Sequence, residues 1–144
     1  METLEIRRGR LIDHLQLVTE NLAAQRRFYD AVLSALQISI GGEGPGYFYF
    51  DELFVSTADS PAAQGRTTGP THLAFQAQSP EAVVQFHAAG LAAGGTDNGA
   101  PGKRPYHPGY FAAFLLDPDG NNIEAVFHGP AHRSADAIVI RWDP

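Results

Sequence analysis

Apolar and polar residues alternate in two stretches that begin alike, residues 13–18 (DHLQLV) and residues 71–76 (THLAFQ). Alternation with a period of two predicts strands, and it puts His14 on the same face as Gln16. The offset between His14 and His72 is 72 − 14 = 58 residues, and it also relates the apolar residues that follow them. We interpret the chain as a duplicated module, in which two equivalent histidines can come together.

The first module is predicted to span about residues 11–58. A strand over 11–18 precedes a helix that Thr19 caps and that ends near Leu36. The remaining predicted elements are a short strand over 37–40, a loop over 41–46 rich in glycine, and strands over 47–50 and 53–57 that form a hairpin around Asp51 and Glu52. Residues 59–70 are polar and contain Gly and Pro, so they are predicted to link the modules.

The second module, about residues 71–128, repeats this order. A strand over 71–77 leads to Ser79 and Pro80, a capping residue followed by a proline that suits the first helical position. The helix continues over 82–89, and Gly90 is a stop signal. The remaining predicted elements are a segment over 94–104 that is rich in glycine and in which the repeat implies a strand, a strand over 110–116, a tight turn over 117–120, a returning strand over 122–128, and an edge strand over 137–142 within a C-terminal extension over 129–144.

Composition narrows the classes of function. The chain has 144 residues, 44% of them apolar, which suits one domain over 1–144 with a core that both modules share. The formal net charge of −6 argues against a nucleic-acid partner, which clustered Lys and Arg would attract. There is no cysteine, and no apolar run approaches the roughly 20 residues that span a bilayer. We expect a cytoplasmic protein that binds neither nucleic acid nor membrane.

Three residues have the chemistry of metal ligands: His14, His72 and Glu124. Each lies within a predicted strand, and Glu124 is flanked by apolar residues. A carboxylate on a buried strand is costly unless it is paired or binds a cation. Two imidazoles and one carboxylate leave coordination positions open for water or substrate, which is typical of a catalytic site. The alternative is that these histidines merely pack. No short metal motif is present, so the prediction of a metal site depends on the arrangement of the three residues alone.

The chain resembles the vicinal oxygen chelate superfamily, which includes glyoxalases, bleomycin-resistance proteins and extradiol dioxygenases. The resemblance covers roughly residues 11–128, and its most specific part is the run from Tyr110 to Glu124 (YFAAFLLDPDGNNIE). It implies an α+β fold of two tandem βαβββ modules, with a curled mixed sheet around a cleft and helices outside. It also implies that His14, His72 and Glu124 bind one divalent metal ion (Fe, Zn, Ni or Mn), that the substrate is a small molecule, and that the protein is a homodimer.

The fourth ligand of the glyoxalase-type members is missing. By analogy with Glu124, its position falls near Phe54 or Val55, and neither side chain binds metal. Glu52 is close in sequence but lies at the predicted turn. A set of three ligands is more similar to the extradiol dioxygenases and to non-haem iron sites in general.

Further candidates lie around the predicted cleft. His107 and Tyr110 are candidate catalytic residues, His107 as a proton relay and Tyr110 as a hydrogen-bond donor to a substrate oxygen. The candidate substrate-binding residues are Arg104, Tyr106, Gln16 and Gln76. The alternative for His107 is a turn residue ahead of Pro108, and for Tyr110 it is aromatic packing within the strand. The alternative for Arg104 is a solvated charge on a loop. Lys103 is a further candidate anion ligand, and His128 is expected to face solvent.

Two classes of function remain open at this point. The first is a metal-dependent enzyme in which the metal acts as a Lewis acid on a substrate with adjacent oxygens, either dioxygenase-like or an isomerase or lyase. The second is a bleomycin-resistance-type protein that sequesters a small molecule without catalysis.

Overall fold

Each half of the chain folds as a strand, a helix and three strands, so the protein is an α+β protein of two tandem modules. The computed structural model describes residues 4–142. The elements of the first module are β2 (Leu15–Val18), α1 (Leu22–Ala35), β3 (Gly42–Gly44), β4 (Tyr47–Phe50) and β5 (Leu53–Ser56). A short 3-10 helix (Pro61–Ala63) follows. The elements of the second module are β6 (His72–Gln76), α2 (Pro80–Ala92), β7 (Thr96–Lys103), β8 (Phe111–Leu116) and β9 (Asn122–Phe127). Two outer strands, β1 (Leu4–Arg8) and β10 (Ile138–Trp142), pair with one another.

The two four-stranded sheets have the same topology. The first has the strand order β2-β5-β4-β3 and the second has the order β6-β9-β8-β7. In each sheet the first strand of the module lies parallel to the last one, and the other pairs are antiparallel. This equivalence confirms the duplicated module.

The helices join the modules through one shared core. Helix α1 packs against α2 as well as against its own sheet, and α2 covers the second sheet. Phe28 and Val32 of α1 and Phe86 of α2 are fully buried, and so is Leu115 of β8. Burial of such side chains contributes about 1.5–3 kcal/mol each, so the apolar positions repeated at helical spacing account for the docking of the two halves.

Because side chains alternate across a strand, each sheet also has a face turned away from the helices. We call the face with Gln16, Phe54 and Tyr49 the first open face, and the face with His72, Ala74, Glu124 and Phe114 the second open face. His72, Ala74 and Gln76 are exposed, whereas Leu73 and Phe75 between them are partly buried and pack on the core. The two sheets therefore do not close around one cleft within the chain.

A buried carboxylate fixes the tight turn between β8 and β9 to the first module. Asp117 accepts hydrogen bonds from the Tyr29 hydroxyl (2.6 Å), the Gln25 amide (3.1 Å) and the Asn121 amide (2.9 Å). Its other oxygen accepts from the backbone N–H groups of Asp119 and Asn121. Burial, and then the adjacent Asp117 charge, raise the pKa of Tyr29 well above its usual value. The predicted turn is thus confirmed, and it also holds α1 in place.

Three predicted boundaries of the first module are wrong. Asn21, not Thr19, caps α1, because its side chain accepts from the Ala24 N–H. Residues 37–40 form no strand, since Gln37 has a left-handed φ of 65°. Instead β3 lies inside the predicted glycine loop. The ring of Tyr49 lies over Gly42, 2.7 Å from where a Cβ would stand, so the absent side chains of β3 make room for aromatic rings.

The second module differs from prediction at Gly90. Helix α2 continues through Gly90 to Ala92. The glycine allows close packing there instead of ending the helix, since a Cβ at Gly90 would meet Leu115 and lie 3.0 Å from Val32. The predicted Ser79 cap is confirmed, with its hydroxyl accepting from the Ala82 N–H. No helix within residues 4–142 is both long enough and apolar enough to cross a bilayer.

Candidate metal centre

His72 and Glu124 lie side by side on the second open face. Nε2 of His72 is 3.1 Å from Oε1 of Glu124. The parallel register of β6 and β9 produces this proximity, since it aligns Ala74 with Glu124 and puts His72 two residues away on the same face. Glu124 is only 3% exposed, whereas the His72 side chain is 49% exposed. Solvent can therefore reach the pair from the side of His72, while Glu124 is buried beneath it.

The proton of His72 is on its other nitrogen. Nδ1 lies 2.9 Å from the carbonyl oxygen of Asn122, which can only accept, so Nδ1–H donates. A neutral imidazole then directs the lone pair of Nε2 at the Glu124 carboxylate. Two acceptors at this distance require either a second proton on His72 or a cation bound to both. The donor set of one imidazole and one buried carboxylate fits a divalent transition metal.

Tyr110 orients the carboxylate of this pair. It directly precedes β8, and its hydroxyl donates to Oε2 of Glu124. Burial, followed by the hydrogen bond to Glu124, raises the pKa of Tyr110 to about 12, so the phenol stays protonated near neutral pH. Oε1 is left free for a cation, which is the arrangement of a hydrogen-bonded metal ligand.

A cluster of rings continues from Tyr110 to the rim. Nδ1 of His107 lies 2.9 Å from the carbonyl oxygen of Pro108, and its Nε2 lies 2.9 Å from Nδ1 of His128. His107 thus donates to Pro108 and accepts from His128, and both rings contact Tyr110 edge-on. Tyr106 contacts Tyr110 in the same way but is 68% exposed. His128 is exposed as expected, but its pairing with His107 was missed by the sequence analysis.

Arg104 lies over the ring of Phe114, with the guanidinium carbon 5.4 Å from the ring centroid. The carbonyl oxygens of Ala100 (2.8 Å) and Lys103 (3.2 Å) accept from its guanidinium. Phe114 also stacks with His72, at a centroid distance of 6.1 Å. Phe114 was missed as a site residue, although its spacing of four from Tyr110 in an alternating strand places both on one face.

The remaining candidates divide between the two sheets. Gln76 is exposed at the end of β6, on the second open face. Gln16 lies on the first open face, where its amide donates to the hydroxyls of Ser56 (2.7 Å) and Ser60 (3.2 Å). His14 directly precedes β2, and its ring meets Phe54 edge-on at 5.6 Å.

The Nδ1 atom of His14, like that of His72, is hydrogen-bonded to an oxygen atom. Its Nδ1 lies 2.7 Å from Oδ1 of Asp13, and this hydrogen bond is the main cause that lowers the pKa of Asp13. Nδ1–H thus donates to a carboxylate, which leaves Nε2 free as a ligand. The imidazole is 58% exposed.

Within one copy, His14 does not join His72 and Glu124. Residues 4–142 contain no group of three His, Asp or Glu side chains arranged to hold a metal ion. The structure thus forms two thirds of the predicted ligand set on one sheet and leaves the remaining histidine on the other. The three-ligand site itself stays a prediction. Glu52 lies in the turn before β5, as expected, and burial raises its pKa.

The first open face also contains a pocket of about 330 Å³ beside Phe54. Tyr47 and Phe54 provide aromatic walls, and Asp59 is the charged residue that lines it. Tyr49 stacks on Phe54 at a centroid distance of 4.7 Å, so the surface next to His14 is a flat aromatic platform.

Comparison with known proteins agrees with this topology. A family model described as "Glyoxalase/Bleomycin resistance protein/Dioxygenase superfamily" matches residues 11–125. The chain belongs to this superfamily. None of the curated proteins compared with the chain matches it.

Solved structures of superfamily members have the same fold. A glyoxalase/bleomycin resistance protein from Albidiferax ferrireducens T118 is 33% identical, with a TM-score of 0.66 over 81% of this chain and 97% of that one. A glyoxalase-related enzyme from Fulvimarina pelagi is 19% identical, with a TM-score of 0.69 over 91% and 97% of the two chains. A lactoylglutathione lyase from Agrobacterium tumefaciens is 19% identical, with a TM-score of 0.60 over 82% and 93%. The last two support the fold alone.

Proposed function

We propose that this superfamily member is a metal-dependent enzyme acting on a small substrate with two adjacent oxygens. The observation that carries the proposal is the buried Glu124 carboxylate facing the free Nε2 of His72 at 3.1 Å. A buried carboxylate beside an imidazole nitrogen is costly unless a proton or a cation lies between them, and a divalent cation would bind both. With iron the reaction would be dioxygenase-like, and with zinc, nickel or manganese it would be an isomerisation or a lysis.

The third ligand in this proposal is His14 of a second copy. In a single copy the two open faces do not meet, so His14 and the His72–Glu124 pair do not form one group of metal ligands. A symmetric pair of chains lets the first open face of each copy meet the second open face of the other. Such a homodimer would hold two equivalent sites, each with two imidazoles and one carboxylate.

The residues around the pair have distinct roles in this proposal. The bound metal would supply Lewis acidity that stabilises the anionic form of the neighbouring oxygens. Tyr110 orients the Glu124 carboxylate, and the His107–His128 pair moves a proton between the site and solvent.

Substrate contacts come from both open faces. Arg104 holds an anionic substituent, because its guanidinium is fixed beside Phe114 by two carbonyl oxygens. Gln16 and Gln76 offer hydrogen bonds to polar groups of the substrate, and Tyr106 offers its hydroxyl at the rim.

Metal analysis of protein purified without a histidine tag tests this proposal. We expect one transition-metal ion per chain by mass spectrometry, and its loss in His72→Ala and Glu124→Ala proteins whose circular dichroism is unchanged. His132→Ala is the matched control, since His132 is exposed and outside the two open faces. A metal content that is substoichiometric after incubation with each of the four metals, or that survives both ligand variants, would exclude the proposed site.

A second measurement separates the reaction classes. Iron-loaded protein is mixed with catechols in an oxygen electrode, and oxygen consumption that His72→Ala abolishes would indicate dioxygenation. Activity only with zinc, nickel or manganese, and without oxygen consumption, would indicate isomerase or lyase chemistry.

Sequestration of a small molecule is the second candidate function. It is favoured by the aromatic pocket on the first open face, where Phe54 stands in place of a ligand and Asp59 contributes a negative charge. Calorimetric titration of metal-free protein with bleomycin, a cationic drug, tests this function. Tight binding that Asp59→Asn weakens and metal does not change would favour sequestration over catalysis.

A further inference from the structure

Arg8 is a largely buried arginine at the end of β1, a strand that precedes the residues 11–125 that match the family. Its side chain is 13% exposed, whereas the side chain of the adjacent Arg7 is exposed. Arginine side chains are rarely buried unless their charge is paired. The partners of Arg8 therefore indicate what its burial accomplishes.

Backbone carbonyl groups fix the guanidinium of Arg8. Its Nη1 donates to the carbonyl oxygens of Arg7 and Asp51, each at 3.0 Å. Asp51 lies in the turn between β4 and β5, so this contact joins β1 to the first sheet. The guanidinium carbon also lies 5.9 Å from the centre of the Phe54 ring. The positive charge is thus held at the first open face.

The side-chain partner of Arg8 is Asp13, the carboxylate that orients His14. Nε of Arg8 lies 3.3 Å from Oδ1 of Asp13, and the same oxygen lies 2.7 Å from Nδ1 of His14. A guanidinium can only donate, so this oxygen accepts from both groups. Arg8, Asp13 and His14 therefore form a chain of guanidinium, carboxylate and imidazole.

Phe54 supports this chain from below. His14 meets the Phe54 ring edge-on at 5.6 Å, and the guanidinium of Arg8 contacts the same ring. Asp13 itself is 67% exposed. A carboxylate so open to water is free to turn away from the imidazole unless another group holds it, and Arg8 is the buried group that does so.

His72, the equivalent histidine of the second module, needs no such support. Its Nδ1 donates to the backbone carbonyl oxygen of Asn122, which the β6–β9 pairing already fixes. The repeat offset of 58 residues places Thr71 where the first module has Asp13, so the second module has no carboxylate to hold. The two histidines reach the same protonation pattern by different means.

We propose that Arg8 is a positioning residue that acts through Asp13 to hold His14 with Nδ1 protonated and Nε2 free for a ligand. The inference rests on the proposed function only for the identity of that ligand, the metal ion. Metal-binding histidines commonly donate their other N–H to a carboxylate, and here an arginine from outside the matched part of the chain fixes that carboxylate. Strand β1 thereby becomes part of the site.

The protonation pattern of His14 tests this proposal without any metal. Long-range ¹H–¹⁵N spectra of metal-free protein with ¹⁵N-labelled histidine, recorded at about pH 8 where imidazoles are neutral, report which ring nitrogen has the proton. The spectrum of His14→Gln protein assigns the His14 signals. We expect the Nδ1–H form to predominate in the unaltered protein and its share to fall several-fold in Arg8→Gln protein. An unchanged share in Arg8→Gln protein would overturn the proposal.

Two further variants separate positioning from a general effect on β1. Arg7→Gln is the matched control, because it removes the same charge from the same strand at a side chain that contacts Glu5 instead of Asp13. It should leave the His14 signals unchanged. Asp13→Ala leaves β1 intact and should lower the Nδ1–H share as Arg8→Gln does. Equal changes in the Arg7→Gln and Arg8→Gln proteins, or no change in Asp13→Ala protein, would contradict a role of Arg8 through Asp13.

Metal affinity tests the route through Asp13. Competition with a chromophoric chelator should show roughly tenfold weaker binding for Arg8→Gln and a loss within about 10- to 100-fold for Asp13→Ala, as for other partners of metal ligands. The double variant should bind no more weakly than Asp13→Ala alone, because Arg8 has nothing left to act on. Additive losses would refute this route.

The failure of this proposal is distinguishable from failure of the metal site. Protein that binds no metal would refute the proposed function, while the His14 spectra would still support or refute the role of Arg8. Metal-binding protein in which Arg8→Gln changes neither the spectra nor the affinity would refute the role of Arg8 alone.

Discussion

Phe54 occupies, in the first sheet, the register position that Glu124 occupies in the second. Phe54 lies opposite Gln16, two residues after His14, just as Glu124 lies opposite Ala74, two residues after His72. On its other side, Phe54 pairs with Tyr49 as Glu124 pairs with Phe114. The duplication therefore supplies a carboxylate from only one of its two halves, and the first half has an aromatic platform instead.

This equivalence predicts a gain of function. Phe54→Glu should add a fourth ligand to the proposed site and tighten metal binding by about tenfold or more, equal to about 1.4 kcal/mol. Phe54→Gln is the matched control, because it removes the same ring without adding a charged ligand. Competition titration with a chromophoric chelator measures both affinities. Equal affinities for the two variants would mean that Phe54 does not face the metal.

Tyr110 provides a test of the hydrogen bond that orients Glu124. Tyr110→Phe removes the donor to Oε2 and keeps the ring, so metal affinity should fall by roughly 10- to 100-fold, as is typical for partners of metal ligands. Tyr106→Phe is the control, because the Tyr106 ring contacts Tyr110 but its hydroxyl has no role toward Glu124. The same chelator titration applies. If both variants lose affinity equally, aromatic packing rather than the hydrogen bond is responsible.

The residues of the second open face can be predicted from the sequence because the patterns that place them there involve residues close to one another in the chain. Alternation places His72 and Gln76 on one face, and the turn over 117–120 aligns β8 with β9, so that Tyr110 and Glu124 meet. Strand β3 was missed because its glycines have no side-chain pattern, and its stability comes from the rings of Tyr47 and Tyr49 across the sheet. The pairing of β1 with β10 was missed because it joins residues at opposite ends of the described chain.

The position of His14 relative to His72 could not be predicted from the repeat. An equal offset in sequence establishes that the two histidines are equivalent, but it does not determine whether their sheets face each other within a chain. That choice depends on how α1 and α2 pack. Here the shared core around Phe28 and Phe86 turns both open faces outward.

The close packing at Gly90 predicts that a larger side chain at this position would destabilise the contact between the helices. Gly90→Ala should destabilise the protein by about 1–3 kcal/mol, because its Cβ would meet the fully buried Leu115 and press on Val32. This loss should outweigh the gain of about 1 kcal/mol in helix propensity. Gly69→Ala is the control, since nothing lies within 4 Å of a Cβ there. Urea unfolding measures both, and an unchanged midpoint for Gly90→Ala would show that the helices can separate slightly without cost.

The hydrogen bond between Tyr29 and Asp117 predicts the response of the protein to alkali. The pKa of Tyr29 is raised in the folded protein, so above about pH 10 the unfolded chain loses this proton while the folded protein keeps it. The unfolded state then binds fewer protons, and the free energy of unfolding falls as pH rises, by up to about 1.4 kcal/mol per pH unit for this group. Below that pH the contribution is fully present and constant.

Tyr29→Phe should lower stability at pH 7 by about 1.5–3 kcal/mol, because Asp117 loses a donor, and should flatten the alkaline slope. Urea unfolding between pH 7 and pH 11 measures both effects. Tyr106→Phe, at an exposed tyrosine, should leave them unchanged; a Tyr29→Phe protein with the original slope would show that other groups cause the alkaline loss.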